Sequence, residues 1–232
     1  MVTKKLEVNT DLPEILQMER AGFAQCVDYI VSQCDLAAGK LLEEHDLSEA
    51  GSPTKGAALA LKARTLLYAA SDLFNRAENT DPVTGYVGGD RQERWKKAAR
   101  AALAVLNMSA YRLNDSYSTL FQLGSAQNKE IIFERRRGLL NSFETINYPI
   151  TFNGGKTGTC PSQNLVDAYE MQKDGSAFDW NDPNQQTHPY EGRDPRLKMT
   201  VVVNNSQWNG RAIEIWEGGK DGNPIDKTTK TG

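Results

Sequence analysis

The chain has 232 residues, of which 39% are hydrophobic and 25% charged, the proportions of an ordinary globular protein able to bury a core. Its formal net charge of −3 gives no general electrostatic reason to bind nucleic acid or anionic lipid. No apolar run reaches the roughly 20 residues that a membrane-crossing helix needs.

The opening residues, MVTKKLEVNTDLPE, hold neither a hydrophobic signal core nor a lipidation cysteine, so an exported protein would carry this sequence as a mature or trimmed form. From Pro13 to His45 the residues Phe23, Val27, Ile30, Val31, Cys34, Ala38, Leu41 and Leu42 recur at helical spacing and predict a first long helix. A turn over Ser48 to Pro53 follows, with Ser52 as the expected N-cap and Pro53 at the first helical position. The second helix, Thr54 to Asn75, mixes Ala with Leu and aromatic residues, a composition that lets neighbouring helix backbones approach closely. Loop chemistry fills Arg76 to Asp90 (RAENTDPVTGYVGGD). The third helix, Arg91 to Met108, is expected to bury Trp95, Ala99, Ala102 and Leu106, and to show solvent Arg91, Arg94, Lys96, Lys97 and Arg100.

The character changes near residue 110, which divides the chain into a helical scaffold, residues 1–110, and a loop-rich part, residues 111–232. In the second part KEIIFERRR (129–137) predicts a short strand, and SQNLVDAYEM (162–171) a short helix capped by Ser162. LKMTVVVN (197–204) and RAIEIW (211–216) predict a hairpin. The final IDKTTKTG stops on a polar run without closing an apolar element, as a truncated sequence would.

Cys26, Cys34 and Cys160 form an odd set without CxxC spacing. Cys26 and Cys34 would stand ~12 Å apart on a helix, beyond the roughly 7 Å that a disulfide spans, so all three read as small buried apolar side chains. Gly155-Lys156-Thr157 resembles the end of a phosphate loop, but Ile150 stands where that motif needs glycine. Ser52 and Lys55 have S-x-x-K spacing, and Ser162-x-Asn164 and Lys230-Thr231-Gly232 follow in the order of penicillin-binding serine acyltransferases. Each of these short elements reads equally well as capping or tail chemistry, so the acyltransferase stands as a remote alternative.

His45 and His188 are unpaired for metal binding, and no catalytic metal site is expected. Asp179, Asn181, Asp182 and Asn184 offer oxygen ligands for a loose calcium site, weighed against a solvated acidic loop; no cofactor is otherwise expected. Trp180, Tyr190 and Trp208 lie in polar loops, where a large ring either anchors its own loop or meets a ligand. Flat sugar faces stack on such rings while neighbouring amides and charges bind hydroxyls, so these three are the candidate ligand contacts.

The blocks TKGAALALKARTLLYAASDLFN, RWKKAARAALAVL, NKEIIFERRR, TCPSQNLVDAYEM, GRDPRLKMTVV and the final TKTG, in this order from about Asp11 to Gly232, together resemble the SusD/RagB family. These are nutrient-binding outer-membrane lipoproteins of Bacteroidetes. The resemblance implies a mainly α fold of tetratricopeptide-like helical pairs carrying a loop-rich binding region with short strands. It also implies an outward-facing lipoprotein that binds glycans or oligosaccharides without catalysis and works with a SusC-like TonB-dependent transporter. The lipid anchor, the only membrane link implied, is absent from this sequence. The matched blocks carry over no ligand-contacting residue, so Trp180, Tyr190 and Trp208 rest on loop chemistry. A helical-repeat scaffold whose concave face binds a protein is the alternative reading.

Overall fold

A computed structural model describes residues 7, 13, 15–121, 128–138, 140–149, 151–152 and 154–222. The protein is mainly helical and divides into two compact units, Met1–Arg136 and Arg137–Gly232. Residues 111–136, grouped with the loop-rich part by composition, cluster with the helices.

Three helices of equal length build the first unit: α1 (Phe23–Ala38), α2 (Lys55–Ala70) and α3 (Arg91–Leu106). α1 is shorter than the Pro13–His45 pattern. Residues 18–22 are not helical, and the Phe23 N–H leaves the helix to meet the Pro82 carbonyl at 2.7 Å. The Phe23 ring stacks on Phe74 and meets Tyr86 edge-on, which ties the start of α1 to the connection after α2. The helix ends at Gly39 after burying Val27, Cys34 and Ala38 of the expected stripe.

Thr54, not Ser52, caps α2: its hydroxyl oxygen accepts from the Ala57 N–H at 3.1 Å and is 3.0 Å from the Tyr111 hydroxyl. Pro53 therefore precedes the cap, and its carbonyl is bound by His45 Nε2 at 3.0 Å. Gly56 is buried under Tyr111, and any Cβ there would collide with that ring. At the other end, Asn75 donates to the carbonyls of Ala69 and Ser71, and Arg91 Nε donates to that of Ala70, so the terminal carbonyls find partners. A short 3₁₀ turn, Asp72–Phe74, follows in place of the helical continuation to Asn75.

α3 is capped by Asp90, whose carboxylate accepts from Gln92 and Glu93. Its buried stripe is Ala98, Ala101 and Val105. The expected stripe of Trp95, Ala99, Ala102 and Leu106 is instead exposed, Leu106 to 75%. The basic face is split as well. Arg94 donates to Asn75 Oδ1 and the Gly88 carbonyl and covers the Tyr86 ring at 3.8 Å, while Lys96, Lys97 and Arg100 stay exposed. Ala-rich faces let α2 pack closely on α3, and α1 also packs on α2.

The second unit is assembled from short pieces. These are α4 (Ser142–Asn147), α5 (Gln163–Asp167), α6 (Pro183–Thr187) and α7 (Pro195–Thr200), with β1 (Gln207–Trp208) antiparallel to β2 (Arg211–Ala212). Ser162 caps α5 as expected, and Asp182 and Asp194 each cap a helix that has proline at its start. The 129–137 segment forms no strand; its backbone is held by turns and by single bonds such as Arg112 N–H to the Lys129 carbonyl. The expected 197–204 strand is also corrected. The Asp194-Pro195 start makes 195–200 helical, burying Leu197 and, one turn on, Val201. The hairpin is shorter, and it turns at Asn209 and Gly210, both with positive φ as a two-residue primed turn requires.

Candidate functional site

Val166, Leu197 and Val201 form the core of the second unit, with Tyr169, Tyr190 and Val203 packed on it. Beside this core lies an open groove of about 650 Å³. One side is Thr187 to Glu191, the segment leaving α6; the others are Leu197 and Lys198 of α7 with Val201 just after it, and the 203–207 segment that leads into β1. Tyr190 supplies the aromatic surface of the groove, and His188, Lys198, Asn204, Asn205 and Gln207 supply polar groups around it. Asn205 sits at positive φ, and the Ser206 hydroxyl accepts from the Val203 N–H at 3.0 Å, which fixes this tight turn at the groove wall. Asn204 is partly committed, since its Oδ1 accepts from the Ile215 N–H at 3.1 Å.

Arg193 holds the groove in shape. It is only 4% exposed, and its guanidinium donates to the carbonyls of Val166, Asp167, Tyr169 and Pro189. It thereby binds the end of α5 to the residue preceding Tyr190, and its planar face lies 4.1 Å from the Phe178 ring centre. A five-donor fork satisfies several carbonyls from one buried point, which lysine cannot do. Asp194 beside it accepts from the side chain and N–H of Arg196, which lowers its carboxyl to about 2 and keeps the α7 cap charged.

The three aromatic candidates meet different surroundings. Tyr190 lines the groove. Trp180 is 43% exposed, stands edge-on to Phe178, and donates from Nε1 to Asp167 at 3.0 Å. Trp208 is half-buried and packs edge-on against Tyr148, and its indole N–H has no hydrogen-bond partner. Trp180 and Trp208 do not line the groove with Tyr190.

A second polar centre braces the hairpin. Asp221, 1% exposed, receives Arg211 through two hydrogen bonds of 2.7 Å, the Glu214 N–H at 2.9 Å and the Thr151 hydroxyl. Arg211 foremost, with Thr151 and the Glu214 amide, holds this carboxyl far below the usual carboxylate range. Neither Arg193 nor Asp221 was identified from sequence. The available signal for Arg193 was the Gly-Arg-Asp-Pro-Arg run just ahead of α7, where an arginine adjoins a helix cap.

The remaining sequence candidates have local duties. Asp182 accepts from the N–H groups of Asn184 and Gln185, and Asp179 Oδ1 from the backbone and side chain of Asn181. Among the described residues, no group of three His, Cys, Asp or Glu side chains is placed to hold a metal ion. Lys55 Nζ pairs with Glu43 at 2.8 Å, and Lys230, Thr231 and Gly232 lie outside the described residues. Gly155 to Thr157 form a loop bonded back to Phe152 and Tyr148, with no helix starting at Lys156. All three cysteines are free, as their spacing implies; Cys34 is buried, whereas Cys160 is exposed, contrary to the buried reading.

Comparison with known proteins agrees with this architecture. Residues 129–232 match the model of the SusD family (SusD_RagB). A solved SusD-like protein from Bacteroides fragilis superposes with a TM-score of 0.61 at 25% sequence identity, over 83% of this chain and 38% of its own. Among curated proteins none matches. Over residues 129–232 the chain is therefore similar to the SusD family, and its described fold is similar to that of a SusD-like protein. It spans well under half the length of the B. fragilis protein.

Proposed function

We propose that this chain binds glycans or oligosaccharides as part of a cell-surface nutrient-uptake protein and performs no chemistry on them. The observation that carries the reading is the groove at Tyr190, an aromatic face ringed by His188, Lys198, Asn204, Asn205 and Gln207 and backed by an arginine-braced core. A sugar ring stacks its C–H face on such a surface while amide and ammonium groups bind its hydroxyls. Trp180, with its exposed ring, extends the aromatic surface of this unit, and Trp208 supplies a third contact from the hairpin. In this reading the full-length protein is an outward-facing outer-membrane lipoprotein that passes its ligand to a SusC-like TonB-dependent transporter. The similarity of residues 129–232 to the SusD family and of the fold to a SusD-like protein supports both points.

A glycan array identifies the ligand class, and retention on the corresponding affinity gel then tests the site. Alanine at Trp180, Tyr190 and Trp208 together abolishes retention if the assignment holds; unchanged retention overturns it. Binding needs no metal in this account, so treatment with a chelator leaves retention as it was.

A further inference from the structure

We propose that the first unit carries a separate docking groove for an amphipathic α-helix with carboxylates along one flank and cations along the other. α1 and α3 both pack on α2 and make little contact with each other, leaving a trough of about 670 Å³ between them. Its floor is aliphatic, with Val31 from α1 and Leu59 and Leu66 from α2. Its floor residues on α2 run from Leu59 to Ala69, ~15 Å or about three helical turns.

The backbone decides what fits. All three walls are helices whose N–H and C=O groups are paired within themselves, so the trough has no strand edge for an extended peptide. An occupant must satisfy its own backbone, as a helix does. The floor also lacks an open aromatic face for a sugar, because Tyr86, the one ring lining it, is covered by Arg94.

Charge sets the flanks. Lys62 is paired with Asp35, Glu93 with Lys96, and Arg94 with Asn75 and Gly88. Asp90 at the start of α3 is engaged as its cap, accepting from the Gln92 and Glu93 N–H groups, and Asp28 on α1 and Lys97 and Arg100 on α3 line the trough without ion-pair partners among the described residues. The α1 wall therefore calls for cations and the α3 wall for carboxylates.

Three labelled 14-residue helical probes with one shared leucine stripe test the proposal by fluorescence anisotropy. One bears Glu on one flank and Lys on the other, one Glu on both, one Lys on both. The wild-type chain is expected to prefer the split probe by about three- to tenfold. Asp28→Lys shifts the preference to the all-Glu probe, and Lys97→Glu with Arg100→Glu shifts it to the all-Lys probe. These positions are exposed or open to the trough, and circular dichroism checks that helicity is kept. Leu66→Glu in the floor abolishes binding of every probe. An order of preference that survives the wall reversals, or affinity that survives Leu66→Glu, overturns the proposal. So does a wild-type dimer that Leu66→Glu dissociates, since the occupant is then a second copy of the chain. No glycan enters the experiment, so its outcome is independent of the glycan-binding reading.

Discussion

Arg193 donates to four different backbone carbonyls from a nearly water-free position, and their desolvation would go unanswered without it. Arg193→Ala is expected to destabilise the second unit by about 2–4 kcal/mol, read as a lower urea midpoint, because several acceptors lose their donor at once. Arg193→Lys recovers only part of this loss, since a single ammonium cannot span the same carbonyls. Asp221 supplies a pH signature. Its folded-state value lies well below the ordinary 3.8, with Arg211 as the leading cause, so the stability it contributes is present at neutral pH and disappears as pH falls below 3.8. Asp221→Asn should cost about 2 kcal/mol at pH 7, and the gap between the two proteins should narrow steadily as pH falls below 3.8 in urea unfolding. Parallel curves from pH 7 to pH 2 would show that the pair contributes nothing.

At the scale of elements, helix positions were legible in the sequence where caps and apolar spacing agreed, and orientation was not. The α3 sequence holds two apolar stripes, Trp95–Ala99–Ala102–Leu106 and Ala98–Ala101–Val105. The larger side chains favour the first by hydrophobicity, but close approach to Ala-rich α2 selects the smaller second stripe. In the same way a proline behind a capping Asp turned 195–200 from a strand into a helix, a local signal stronger than the β-branched run after it. Gly56 gives a test of how α2 is packed. Alanine there raises helix propensity by about 1 kcal/mol yet meets the Tyr111 ring, so Gly56→Ala should lower thermal stability. Adding Tyr111→Ala to Gly56→Ala should then cost less than Tyr111→Ala does alone in the parent chain. A Gly56→Ala chain as stable as the parent would mean that Tyr111 does not cover the start of α2.

For the whole molecule, the mainly α architecture was legible because it is written in scaffold blocks such as the α2 helix, whose small residues answer to packing. Of the residues lining the groove, only Tyr190 was among the aromatic candidates read from sequence. Groove walls come from the 187–191, 197–201 and 203–207 segments, and their juxtaposition depends on Arg193 contacts that no local spacing encodes. Helical and loop-rich units thus offer two different surfaces, an aliphatic trough and a polar groove with an aromatic face. The central claim is that the second surface binds sugar through Tyr190. Titration of the array-selected glycan against the parent chain and Tyr190→Leu tests it most directly, since leucine keeps the packing on Val166, Leu197 and Val201 while removing the ring. The account predicts that Tyr190→Leu weakens affinity about five- to tenfold with an unchanged unfolding midpoint; equal affinity in the two proteins would contradict it.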